Sequence, residues 1–252
     1  MTSLMRVLLL FTFFVTLERL AAADISFLQQ NSQPKYFLNS PDSPGLCGEL
    51  YRSIIRELDK RAISSAVDNH YLPIKRILSQ VETIPGTVFC GAGRNAEREK
   101  RFHYIRTPLY QVSNVVVTHG DDLHDPKSFE EIIAARDSVG ALYGTSSARF
   151  LQKKIGATLV NDSFNDLESP LKLIGTSPHR LRYFYYHDLG LNYLVKVSPY
   201  PLRVVKTKFR TVPQWLIVSS KTPEFQLIAL EEILASMEQS GELAQIVGRY
   251  IY

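Results

Sequence analysis

The sequence predicts an α/β fold with parallel sheets, on three observations. Short β-branched or apolar runs alternate with amphipathic helices, the turns between them are brief and led by glycine, and no repeat, low-complexity tract or long linker breaks the alternation. With 252 residues, 45% of them hydrophobic and 21% charged, the chain has apolar material for one large core or two small ones.

The first residues stand apart from that pattern. Arg6 precedes the apolar run VLLLFTFFVTL, which is short for a bilayer span, and AAAD follows it. This is the order of a secretory signal peptide, so residues 1–23 are expected to be removed after Ala23, with an uncleaved anchor as the alternative. Export into an oxidising compartment favours a disulfide between the two cysteines, Cys47 and Cys90. Each follows an apolar segment and precedes a glycine, which suggests the same end of neighbouring strands; two buried thiols are the alternative.

Along the rest of the chain, KYFLN (Lys35–Asn39) reads as a short strand. ELYRSIIRELDKRA follows as a helix with Leu50, Ile54, Ile55 and Leu58 on one face, and LPIKRILSQV as a second helix. TVFCGAG is the next strand, and NAEREKR opens a short helix capped by Asn95. YQVSNVVVTH (Tyr110–His119) is a long strand placed centrally enough to cross between two lobes. Asp125 is expected to cap the helix that begins at Pro126. SVGALYGTSSARFLQKKIGA repeats strand, glycine turn and helix, and the aromatic strand LRYFYYHD ends on His187 and Asp188. PLRVVKTKF and QWLIVSS are further strands, and two helices close the series, the first capped by Thr222.

In open α/β sheets, ligands collect at the carboxyl ends of strands. Three polar groups fall there: GAGRNAER, GTSS and the pair His187–Asp188. The first two share a mechanism. Glycine admits a ligand close to the backbone, and a helix N-terminus offers unpaired N–H groups to an anion. Arg98 adds a planar fork that grips a carboxylate with two hydrogen bonds. Asp188, facing the same cleft, would take an ammonium group, so the set would describe a zwitterion site. The plainer alternative is that Asn95, Thr145, Ser146 and Asp188 only cap helices and turns.

Other chemistries find less support. The formal charge of +4 is spread along the chain rather than gathered on one basic face, which argues against nucleic-acid binding. The run Thr118–Asp125 holds His119, Asp121, Asp122, His124 and Asp125 without the spacing of a metal site. No G-x-S-x-G, H-E-x-x-H, Walker or complete G-x-G-x-x-G motif is present.

The order of several loose motifs resembles the family 3 periplasmic solute-binding proteins of ABC importers. GLCGELYRSIIREL looks like that family's first helix opening, and GRNAEREKRFHYIRTPLY like its arginine stretch running on to a Pro–Tyr pair. VGALYGTSS is similar to its V-G…G-T-S turn, and GELAQIVGRY to its closing helix. The resemblance implies a two-lobed type II periplasmic-binding-protein fold with a ligand cleft between lobes joined by two crossing strands. Lobe one would take residues 24–112 and 214–252, and lobe two residues 113–213. It implies ligand contacts at Asn95, Arg98, Tyr110, Gly144, Thr145, Ser146, His187 and Asp188. The implied protein is a periplasmic, monomeric receptor for a small polar solute, served by a membrane ABC permease and needing no cofactor. The sequence also departs from the family pattern: IPGT lacks an expected acid, and HRLRYFYY replaces a G-x-x-D strand. Two other roles belong to the same fold. One is a sensor module without a transporter. The other is a dehydratase-like enzyme, for which His187 or His103 would have to supply the proton chemistry.

Overall fold

Ile25–Gln29 (β1) is an apolar run buried along almost its whole length, and it lies at the heart of the first half of the molecule. The computed structural model describes residues 25–250 apart from Asn39 and Pro41, so the expected signal peptide at residues 1–23 lies outside the described residues. After β1 come α1 (Leu46–Asp59), β2 (Ser65–Tyr71), α2 (Ile74–Thr83), β3 (Thr87–Gly93), α3 (Ala96–Glu99) and β4 (Phe102–Tyr104). The long strand β5 (Tyr110–His119) leads to α4 (Phe129–Ala135), β6 (Val139–Leu142), α5 (Ser146–Ile155), β7 (Val160–Phe164) and α6 (Glu168–Gly175). Then follow β8 (Tyr183–His187), α7 (Asp188–Val197), β9 (Leu202–Val204), β10 (Arg210–Ser219), α8 (Glu224–Gln239) and α9 (Glu242–Gly248).

The strands pair in the order β2-β1-β3-β10-β5-β8-β6-β7, with β4 added to β10 and β9 to β5. Pairing is parallel within each flank, β2-β1-β3 and β8-β6-β7, where helical crossovers cover the sheet. It is antiparallel at the centre, where β5 and β10 pair from Tyr110↔Gln214 to Asn114↔Arg210. Beyond that ladder the two strands part. β10 runs on to pair with β3 and β4, and β5 runs on to pair with β8 and β9. Each crossing strand therefore serves one sheet at one end and the other sheet at the other.

The cores divide the same way. One packs β1, β3 and β10 against α1, α2 and α8, with Phe27, Leu50, Ile54, Phe89, Leu216 and Leu230 at its centre. The second half packs on both faces of its sheet: Val116, Tyr183 and Tyr185 on one side, Val115, Val117, Phe184 and Tyr186 on the other. That alternation follows from the two-residue period of β5 and β8. The aromatic run 183–186 is therefore core on both faces.

Several local expectations are corrected. Lys35–Leu38 is a turn, because β1 takes the sheet position assigned to it; the Lys35 and Tyr36 amides both donate to Ser32 O. Cys47 and Cys90 are bonded, 5.8 Å apart at Cα, but they join the first turn of α1 to β3 rather than two strands. Ser128, not Asp125, caps α4, while Asp125 pairs with Arg203 at 2.5 Å. Thr222 does not cap α8; its hydroxyl accepts from the Gly86 amide at 3.0 Å.

Candidate functional site

A cleft lies where the ends of β3 and β8 meet the crossing strands and the start of α5. Its walls carry Lys35 and Gly93 from the first half, Thr145, Ser146, Ser147 and His187 from the second, and Arg98, Asn114 and Arg210 around the junction. The cavity inside measures about 60 Å³, room for only about four water-sized spheres.

Arg98 reaches this cleft through its helix cap. Asn95 has extended backbone, and its Oδ1 accepts from the Arg98 amide at 3.0 Å, which starts α3 and turns the arginine inward. Arg98 is 3% exposed. Its Nη1 donates to Gly93 O at 3.2 Å, while Nε is buried with no partner, and no carboxylate pairs with the guanidinium among the described residues. Burial pulls its pKa down from the ordinary arginine value, with neighbouring Arg149 adding to the effect against Tyr104 and Glu97. A buried cation in this state is costly unless an anion joins it.

The opposite wall is the N-terminus of α5. Thr145 Oγ1 accepts from the Ala148 amide at 3.1 Å, which leaves the amides of Ser146 and Ser147 without acceptors inside the helix. The two walls come close at Gly93. A Cβ on that residue would lie 2.9 Å from Ser146 Oγ, so a larger side chain would have to displace that hydroxyl for the halves to approach this far.

A second cation occupies the floor. Lys35 is 4% exposed, and its Nζ sits 5.2 Å from the Phe89 ring centroid and 5.6 Å from that of Tyr36. Among the described residues it has no ion-pair partner, and burial holds its pKa down to about 7. Gly91, at φ +87°, makes space for it: a Cβ there would lie 2.9 Å from Lys35 Nζ and 2.4 Å from Tyr110 Oη. The neighbouring His187 is kept uncharged by burial first and by Lys35 second. Its Nδ1 accepts from the Gly190 amide at 2.9 Å as the cap of α7, which puts the proton on Nε2. That Nε2 is buried without a partner, as is Asn114 Oδ1. With Arg98 Nε, three residues that line the cleft each bury a polar atom without a partner, a concentration that singles out this part of the molecule.

Of the expected ligand residues, the structure brings Arg98, Thr145, Ser146 and His187 to the cleft. It does not bring the other four. Asn95 is spent on its cap. The space beside Gly144 is filled by Lys75, whose Cγ lies 2.8 Å from where a Cβ would stand. Tyr110 lies below the floor, with its hydroxyl 3.7 Å from Cys47 Sγ. Asp188 turns away, its Oδ1 accepting from the Ser113 and Leu189 amides at 3.0 and 2.9 Å. The zwitterion arrangement expected from the sequence is therefore not formed. Sequence reasoning missed Lys35, Asn114 and Arg210. The one signal for Lys35 was a single cation between Pro34 and the aromatic pair Tyr36–Phe37.

The other candidates are committed elsewhere. His103 faces Glu231 at 3.2 Å. In the Thr118–Asp125 run, Asp122 pairs with Arg182 at 2.7 Å and His124 Nδ1 lies 2.6 Å from Tyr183 Oη. Among the described residues no group of His, Cys, Asp or Glu is placed to hold a metal ion, and no helix is long and apolar enough to cross a membrane.

No family model matches the sequence, and no curated protein matches it. Solved structures do. A mutant of the arginine-binding protein ArgBP from T. maritima superposes with a TM-score of 0.74 at 16% identity, covering 90% of this chain and 94% of that one. The arginine-bound amino acid ABC transporter substrate-binding protein AbpA from Streptococcus pneumoniae gives 0.74 at 16% identity, covering 90% and 93%. The ancestral amino acid-binding protein AncCDT-1, a precursor of cyclohexadienyl dehydratase, gives 0.73 at 15% identity, covering 90% and 94%. At these identities the likeness establishes the fold: this chain has the two-lobed type II periplasmic-binding-protein fold.

Proposed function

We propose that this chain is an extracytoplasmic solute receptor that closes on a small carboxylate-bearing ligand and delivers it to an ABC permease. Residues 24–112 with 214–252 form one jaw and residues 113–213 the other, hinged at the ladder of β5 and β10. Residues 1–23 direct export to the periplasm. The observation that carries the reading is Arg98: a buried guanidinium with no ion-pair partner among the described residues, sharing its cleft with the N-terminus of α5. A carboxylate between them would receive the arginine fork from one lobe and helix amides from the other, and contact with both lobes is what makes a ligand favour closure.

Contacts between the lobes already outline the closed state. Arg149 pairs with Glu97 at 2.7 Å, Lys75 Nζ lies 3.5 Å from the Tyr143 ring centroid, and Ser32 Oγ meets Tyr186 Oη at 3.2 Å. The fold's solved neighbours include amino-acid-binding proteins, which supports a receptor role, and one dehydratase precursor, which keeps an enzyme as its rival. His187 is the one histidine at the cleft, and burial opposes the charged form that a general acid needs.

A thermal-shift screen of the purified protein against carboxylates tests the reading. A ligand that binds the native state raises the melting temperature. At least one small carboxylate is expected to do so for wild type and to fail with Arg98→Met. Release of water or carbon dioxide from a bound acid would shift the assignment to the enzyme.

A further inference from the structure

Resting on the receptor reading above, we infer that the ligand is a short dicarboxylate carrying no ammonium group, held at one end by Arg98 and α5 and at the other by Lys35. The cleft contains two separate cationic positions. Arg98 is anchored at Gly93 through Nη1, and Lys35 Nζ lies against Gly91. The two glycines are two residues apart on β3, so their Cα atoms are at most about 7 Å apart. Both cations therefore border the same short stretch of strand, which suits a ligand with two anionic ends.

The charges of the lining agree. Lys35, Arg94, Arg98 and Arg210 all line the cleft, and among the described residues no aspartate or glutamate does. Arg94 is paired with Glu99 at 2.5 Å, whereas Lys35 and Arg98 make no ion pair among the described residues, Glu97 acting on Arg98 only as a weaker electrostatic neighbour. The groups around Lys35 are the Tyr36 and Phe89 rings, Tyr110 Oη and a neutral His187. An ammonium group here would meet like charges and only neutral acceptors, Asn114 Oδ1 and the side-chain oxygens of Gln30, Gln214, Ser146 and Ser147, with no carboxylate on the lining among the described residues. The carboxylate suited to receive it, Asp188, is already bonded to two backbone amides outside the cleft. His187 Nε2–H and Arg98 Nε–H are donors without acceptors, so the unmet demand in the site is mostly for anionic oxygen.

Calorimetric titration of the purified protein with succinate, glutarate, L-aspartate, L-glutamate, L-alanine and acetate tests this. Succinate or glutarate is expected to bind at least about tenfold more tightly than any of the amino acids, a factor worth about 1.4 kcal/mol. Lys35→Met should remove that advantage, leaving diacids near acetate in affinity. Lys35→Gln serves as a second variant, and circular dichroism confirms that both fold. If L-alanine binds as tightly as the diacids, or Lys35→Met leaves diacid affinity unchanged, the inference is wrong while the receptor reading stands. If none of the six binds wild type at millimolar concentration, both are wrong.

Discussion

Asp188 Oδ1 accepts a hydrogen bond from the backbone amide of Ser113 at 3.0 Å, and so ties the first turn of α7 to the crossing strand β5. The same oxygen receives the Leu189 amide at 2.9 Å. A carboxylate held by two amides at a hinge acts as a structural clasp, and its side chain lines a different depression, beside Pro34, Phe37 and Tyr193. Asp188→Ala should therefore destabilise the protein by roughly 1–2 kcal/mol, in the range of a lost helix-end bond. Ligand affinity should change by less than about threefold, under 0.7 kcal/mol. Paired chemical denaturation and titration read both quantities. A collapse of affinity with stability intact would restore the zwitterion site.

Lys35 gives the protein a distinctive pH dependence. Its pKa falls from 10.5 in the unfolded chain to about 7 in the native state, because burial penalises the charged form. Between those values the unfolded chain binds more protons, so stability rises with pH across the window from about 7 to 10.5; below pH 7 the full cost is present. Lys35→Met should flatten this slope and stabilise the protein at pH 6 by roughly 2–4 kcal/mol. Urea denaturation at pH 6 and pH 9 measures both effects. A diacid that recharges Lys35 should bind with proton uptake above pH 7, seen as a dependence of binding heat on the buffer's ionisation enthalpy. Equal stability of the variant and wild type at pH 6 would contradict the buried charge.

Gly93 separates closure from folding. Its φ lies outside the left-handed region, so alanine brings no backbone strain there, but its methyl would stand 2.9 Å from Ser146 Oγ across the cleft. Gly93→Ala should weaken ligand binding about tenfold, from an overpacking cost of about 1–3 kcal/mol that falls on the closed form. The melting temperature without ligand should stay within about 2 °C. Scattering profiles should show the extended form persisting at ligand concentrations that compact wild type.

The Cys47–Cys90 bond, closing a separation of 43 residues, pins α1 to β3. In the same turn the Cys47 amide donates to Lys35 O at 2.9 Å, so the bond also steadies the segment that carries the lysine. Chain-entropy arguments put its contribution at about 4 kcal/mol, with measured cases nearer about 2–4. Cys47→Ala with Cys90→Ala should lower the unfolding free energy by that amount. The double variant should also lose diacid affinity more than acetate affinity.

Much of the fold was legible because hydrophobic period and turn chemistry are local. TVFCGAG, YQVSNVVVTH and the Gly144–Thr145 turn into α5 formed as read, since each signal lies within a few residues. β1 and β2 escaped notice: SAVDNHY in β2 is half exposed with no clear alternation, and β1 sits beside a segment that reads as leader. In the site, Arg98 and the α5 cap were readable from glycine and cap residues. Lys35 was not, because its burial comes from long-range packing against Phe89 and Gly91. Asp188 misled for the same reason. Its position at a strand end is visible in the sequence, but the direction of its side chain depends on Ser113, 75 residues earlier.

The central claim is that Arg98 and α5 clamp a carboxylate between the lobes. The measurement that tests it most directly is calorimetric titration of wild type and Arg98→Met with glutarate at pH 7. The account predicts saturable binding to wild type and affinity reduced at least about a hundredfold in the variant, about 2.7 kcal/mol, as expected for losing a buried charged hydrogen-bond partner. Glutarate binding to Arg98→Met as tightly as to wild type would contradict it.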